Sequence, residues 1–135
     1  MKILIAGSNG MIGSAVTRHL TEGGHEIIRL VRHTPSPGEI WWDPDAGEID
    51  ADSLEGFDGI IDLASMPWPM RWTRKAKQRI RANRLATNGL LAESLARCVH
   101  KPKALICASG MGYYPSSGDT VLTEDSPGHA HHRVV

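Results

Sequence analysis

The chain has 135 residues, 41% of them apolar and 22% charged, which is long enough for one domain with its own hydrophobic core. Fifteen Lys and Arg balance fifteen Asp and Glu, giving a formal net charge of +0. That balance argues against a disordered polyelectrolyte and against a basic nucleic-acid module. One compact unit over residues 1–128 is expected, with residues 129–135 as an atypical tail.

Residues 2–6, "KILIA", form a short apolar run rich in isoleucine, bounded by Gly7, and read as a buried strand. Met11, Ile12, Ala15, Val16 and Leu20 then recur at helical spacing, and "EGGH" at 22–25 supplies the stop. "HEIIRLVRH" at 25–33 gives a second strand ending near Val31, before Pro35, Pro37 and Gly38 impose a loop. Residues 39–58 are less regular, with a turn at Asp43-Pro44 and one short helical turn around 51–55. Trp41 and Trp42 in this stretch are expected to pack in the core or at a sheet edge, with a ligand wall as the alternative.

"GIIDLAS" at 59–65 reads as a third strand, followed by a loop carrying Pro67 and Pro69. Residues 72–99 read as helix, basic at first and then amphipathic, with Gly89 weakening it without ending it. "KPKALICASG" at 101–110 gives a fourth strand. Strand-then-helix order with apolar strands points to an α/β fold, a parallel sheet covered on both faces. Cys98 and Cys107 lie in apolar surroundings, so two buried free thiols in a reducing compartment are expected. No long apolar segment opens the chain, and a soluble cytoplasmic protein is expected.

Gly7-Ser8-Asn9-Gly10-Met11-Ile12-Gly13 matches G-x-x-G-x-x-G between a strand and a helix, the setting in which such a turn holds a dinucleotide. Gly7 would permit the tight turn, Gly10 the approach of a pyrophosphate, and Gly13 close packing of helix on sheet. The amides at the helix start would receive the phosphate charge. The second strand ends Leu30-Val31-Arg32-His33 with no acid for the ribose hydroxyls of NAD(H). Arg32 offers a fork of donors to a 2′-phosphate, so NADP(H) is favoured, with NAD(H) as the second candidate.

The charge is uneven. Residues 1–64 hold four Lys and Arg against eleven acids, and residues 71–103 hold ten against one. A basic solvated helix face accounts for the second stretch most simply, a subunit contact or attraction of an anionic ligand less so. Histidines at 129, 131 and 132 lack an accompanying ligand set, so no metal is expected. Asp119, Glu124 and Asp125 read as solvated residues and caps.

With "MKILIAGSNGMIGSAV", "WWDPDAGEID", "IIDLAS", "RWTRKAKQRI" and "ASGMGYYPSSGDTVLTEDSPG" in order, residues 1–128 resemble the epimerase-like branch of the extended short-chain dehydrogenase/reductase superfamily. The resemblance implies a Rossmann-like doubly wound sheet binding NADP(H), followed by a C-terminal half with the remaining catalytic and substrate regions. It implies that Gly7, Gly10 and Gly13, with Ser8, Asn9, Met11 and Ile12 between them, cradle the pyrophosphate, and that Arg32 reads the 2′-phosphate. Leu63, Ala64 and Ser65 would line the adenosine, Ser65 standing where a glycine is common. Ser109 lies where the superfamily places its active-site serine, and Tyr113 is near enough to share that crevice.

No tyrosine here has a lysine four residues later, and the fold is expected to be incomplete at its C-terminus. The leading expectation is therefore the nucleotide-binding portion of an NADP(H)-dependent oxidoreductase or epimerase-like protein, its substrate undetermined, with a small carbonyl or sugar nucleotide as the candidate class. A catalytically inactive dinucleotide-binding protein is the alternative. An uncovered last strand would favour self-association. Neither a nucleic-acid nor a membrane partner is expected.

Overall fold

The computed structural model describes residues 1–66, 73–110 and 113–128. Six strands and two helices follow in chain order: β1 (Lys2–Ala6), α1 (Met11–Glu22), β2 (Glu26–Val31), β3 (Glu39–Asp43), β4 (Glu48–Ile49), β5 (Gly59–Asp62), α2 (Arg74–Arg97) and β6 (Ala104–Cys107). A 3-10 turn covers Ala51–Leu54. The sheet order is β4-β3-β2-β1-β5-β6. The chain therefore steps outward from β1 in one direction, then crosses back to build β5 and β6 on the other side. Right-handed crossovers running in opposite directions put α1 and α2 on opposite faces, as in a Rossmann-like doubly wound fold.

β1, β2 and β5 are held in parallel register through pairs such as Leu4 with Ile28 and Leu4 with Ile60. Side chains alternate across such strands, so Leu4 and Ala6 join one core cluster while Ile3 and Ile5 face the opposite side. That cluster takes in Leu30, Trp42, Leu54, Phe57 and Ile60 of the sheet side together with Leu91, Leu95 and Cys98 near the end of α2. Thr73 caps α2, its hydroxyl accepting the Ala76 N–H at 3.1 Å. At the far end, Glu55 accepts the N–H groups of Val99 and His100 at 2.6 and 2.9 Å. Those two amides, His100 first, hold its carboxyl below the ordinary carboxylate range.

Several expectations change. Six strands replace four, because β3 and β4 form in the stretch taken as irregular. β3 is drawn into parallel pairing with β2 from Arg29 with Glu39 to Val31 with Trp41. β4 pairs antiparallel with β3 through the turn that follows Asp43, so the sheet is mixed rather than all parallel. The third strand stops at Asp62, short of residue 65, because the Asp62 carboxylate accepts the Ala64 N–H at 2.9 Å and turns the chain.

Cover on both faces fails at β6, whose four residues are all exposed. Cys107 is consequently exposed, whereas Cys98 is buried as expected. Burial still raises the Cys107 thiol above its ordinary value, with the Asp62 carboxylate adding to the effect. Trp42 is buried in the core, and Trp41 is part exposed. The loop prolines 67 and 69, the first expected helical residue 72, and the histidines at 129, 131 and 132 lie outside the described residues.

Candidate functional site

The reversal of strand order falls between the parallel strands β1 and β5, and the chain leaves both strands at the same edge of the sheet. Gly7 follows β1 in the left-handed region, at φ +75°. A Cβ there would lie 2.6 Å from the Leu63 carbonyl carbon and oxygen and 2.8 Å from the Ala64 nitrogen. The two strand ends can approach this closely only because residue 7 has no side chain. Gly13 plays the same part for the helix. Its Cβ would press on the Gly7 carbonyl oxygen and lie 2.9 Å from the Ser8 Cα.

Gly10 donates to the Gly7 carbonyl at 3.1 Å and caps α1 from an extended conformation, without any side-chain cap. No acid occupies the first turn of α1. The positive end of the helix dipole is therefore left to whatever anion lies beyond it.

These strand ends open onto a groove of about 1020 Å³. Its floor and one wall come from Gly7, Ser8, Asn9 and Gly10, with Ala64, Ser65 and Met66 after β5. A second wall comes from Leu30, Val31, Arg32 and His33 at the end of β2, with Trp42 and Asp45 from the neighbouring strand and turn. The third is one face of α2, Arg79, Ala82, Asn83 and Ala86, at spacings of three, four and seven residues. Two small alanines keep that face low enough to leave space, and Arg79 and Asn83 supply donors to it.

Arg32 donates from Nη1 to Asp45 Oδ2 at 3.0 Å, with the two side chains 48% and 66% exposed. Arg84 reaches from α2 to the Ala64 carbonyl at 3.3 Å and steadies the loop after β5. Below that loop Asp62 is wholly buried. Its second carboxylate oxygen, Oδ2, has no hydrogen-bond partner among the described residues. Burial raises its pKa above the ordinary carboxylate value, and the Ala64 N–H and the Arg84 charge only partly oppose this.

Of the residues expected to hold a cofactor, Gly7, Ser8, Asn9, Gly10, Arg32, Ala64 and Ser65 line the groove together. Met11 and Ile12 are exposed on α1 and do not line it, and Gly13 is buried beneath the turn. Leu63 acts through its backbone against Gly7 rather than as groove lining.

Ser109 is exposed two residues beyond β6. Tyr113 is part exposed and packs edge-on against Tyr114, with ring centroids 5.1 Å apart. Neither lines the groove. Sequence reasoning missed Asp45 and the α2 face. The i, i+3, i+4, i+7 recurrence of Arg79, Ala82, Asn83 and Ala86 was the signal that could have found the latter. Among the described residues no group of His, Cys, Asp or Glu is arranged to hold a metal, and no helix is long and apolar enough to cross a membrane.

Residues 3–133 match the NAD dependent epimerase/dehydratase family. The chain belongs to that family. It is 36% identical over 131 residues to the human epimerase family protein SDR39U1, spanning 95% of this chain and 43% of that protein. The structure of human SDR39U1 isoform 2 with NADPH matches the fold at a TM-score of 0.79 and 33% identity, over 95% of this chain and 43% of that one.

A nucleoside-diphosphate sugar epimerase from Corynebacterium glutamicum matches at a TM-score of 0.77 and 36% identity, over 95% of this chain and 26% of the other. MoeE5, solved with UDP-glucose and NAD, matches at 0.70 and 26%, over 96% of this chain and 42% of the other. The chain thus spans less than half the length of these family members.

Proposed function

We propose that the groove holds a nicotinamide dinucleotide, with NADP(H) preferred over NAD(H), and that the chain is the cofactor-binding portion of an epimerase-type or oxidoreductase protein. The observation that carries this reading is the glycine turn. It brings β1 against the loop after β5 and leaves the uncapped, acid-free start of α1 facing the groove. A dinucleotide fits that arrangement, since its pyrophosphate needs close backbone approach and a positive helix end.

In this reading the amides following Gly7 to Gly13 take the pyrophosphate, and Ala64 and Ser65 line the adenosine. Arg32 reads the 2′-phosphate, and Arg79 and Asn83 flank the bound anion from α2. The cofactor, when bound, supplies hydride transfer. Ser109 lies outside this groove, beyond β6, and in this reading it would orient a substrate oxygen by hydrogen bonding as charge develops on it, with Tyr113 as the second candidate. The related structures with NADPH and with UDP-glucose and NAD support a dinucleotide and a sugar-nucleotide substrate class, with a small carbonyl as the other candidate. Residues 1–128 would form the binding domain of a cytoplasmic protein.

The test is a fluorescence titration of the chain with NADPH and NADH, with Arg32→Ala beside it. NADPH is expected to saturate the chain and to bind more tightly than NADH, and the substitution to weaken it by about tenfold or more, the scale of a lost charge-assisted hydrogen bond. A folded chain that binds neither nucleotide overturns the reading. NADPH oxidation dependent on a sugar nucleotide or carbonyl distinguishes an enzyme from a dinucleotide-binding protein without turnover.

A further inference from the structure

The Arg32 guanidinium does not stand alone at the mouth of the groove. β2 ends without an acid, yet a carboxylate reaches the same place from another part of the chain, the turn between β3 and β4. Asp45 is fixed there by its backbone: the N–H groups of Asp45 and Ala46 both donate to Asp43 Oδ1, at 3.0 and 3.2 Å. Gly47, at φ +74°, then lets the chain return into β4. The side chain so placed meets Arg32 at 3.0 Å, and both residues line the groove.

We propose that Asp45 narrows the NADP(H) preference of this groove, by competing with a 2′-phosphate for Arg32 and by accepting the adenosine ribose hydroxyls when that phosphate is absent. The inference rests on the dinucleotide reading above. A ribose diol presents O–H donors, which suit a carboxylate. A 2′-phosphate presents only negative oxygens, which suit the guanidinium and repel the carboxylate. NADH is therefore received with the Arg32–Asp45 pair intact. NADPH is received only when Arg32 turns from Asp45 to the phosphate, or when the phosphate lies beside a like charge. The pair is solvated, so the penalty is modest, and it shrinks as salt screens it.

The test is the same titration on Asp45→Asn and Asp45→Ala at low ionic strength, with Glu48→Gln as the control. Glu48 is exposed on β4 and lines no part of the groove, so its loss reports only the general effect of removing one negative charge. Both Asp45 variants are expected to bind NADPH about two- to fivefold more tightly, the range of an exposed ion pair, and NADH more weakly. The control should shift both nucleotides together and leave their ratio unchanged.

An NADPH-to-NADH ratio unchanged in the Asp45 variants overturns the proposal while leaving the dinucleotide site intact, as does an equal ratio change in Glu48→Gln. Loss of both nucleotides from the unaltered, folded chain overturns the site and the proposal together. Circular dichroism on each variant separates a binding change from a folding one.

Discussion

Two helical glycines in this chain differ in one respect that matters, and Gly13→Ala compared with Gly89→Ala isolates it. Gly89 lies inside α2, where an added Cβ would meet nothing within 4 Å among the described residues. Alanine there gains helix propensity and is expected to stabilise the fold by about 0.8–1 kcal/mol. Gly13 lies in the first turn of α1, where alanine has a smaller propensity gain but an obstructed site. Its Cβ would press on the Gly7 carbonyl oxygen and lie 2.9 Å from both the Gly7 carbonyl carbon and the Ser8 Cα.

These neighbours are backbone atoms of the turn itself, and Gly7 is in turn wedged against Leu63 and Ala64, so neither side yields easily. Overpacking of this kind costs about 1–3 kcal/mol, and the upper part of that range applies where backbone must move. The unfolding free energies of the two variants should therefore differ by at least about 2 kcal/mol, measured by urea unfolding with far-ultraviolet circular dichroism at constant m. Because the displaced turn is the proposed pyrophosphate cradle, Gly13→Ala should also weaken NADPH binding, and Gly89→Ala should not. Variants equal in stability to within about 0.5 kcal/mol would refute the claim that Gly13 is required by contact with the turn.

Two further outcomes follow from burial. Asp62 has its carboxyl raised from the ordinary value of 3.8 by burial, so the native state binds more protons than the unfolded state between 3.8 and the raised value. Stability should fall as pH rises through that window, and the deficit should be complete above it. Asp62→Asn removes the charge, and its side-chain oxygen can still accept the Ala64 N–H. The difference in unfolding free energy between variant and parent should thus move in the variant's favour with rising pH, and a difference independent of pH would refute the assignment. The second outcome concerns β6, whose strand edge and apolar Leu105 and Ile106 are exposed. The 135-residue chain is expected to self-associate with rising concentration in sedimentation velocity, and a monomer throughout the range would contradict this.

What was legible in the sequence was local. The β1 run, the glycine spacing and the apolar period of α1 lie within about twenty residues, and each agrees with the others, so the strand, turn and helix could be read together. β3 could not be read that way. "EIWWD" has no clear alternation, with Trp42 buried and Trp41 part exposed, and it becomes a strand because β2 offers it a parallel edge. The apolar "ALIC" correctly indicated a strand but not its exposure, since cover depends on what other chain reaches it. Cys107 was misjudged for the same reason.

The candidate site divides along the same line. The phosphate-facing turn is encoded in seven consecutive residues, because a backbone cradle is made by consecutive amides. The walls come from residues as far along the chain as Ala86, because a groove at the strand ends is closed by whatever the crossovers deliver there. Arg32 was visible as the position just after a strand that ends without an acid. Asp45 was not, since its place opposite Arg32 depends on the pairing of β3 with β2 and on the Asx turn at Asp43. A strand end alone therefore gives an incomplete reading of coenzyme preference. The charge that decides between a phosphate and a diol is the sum of the strand-end residue and the turn that folds back over it, and here those two have opposite signs.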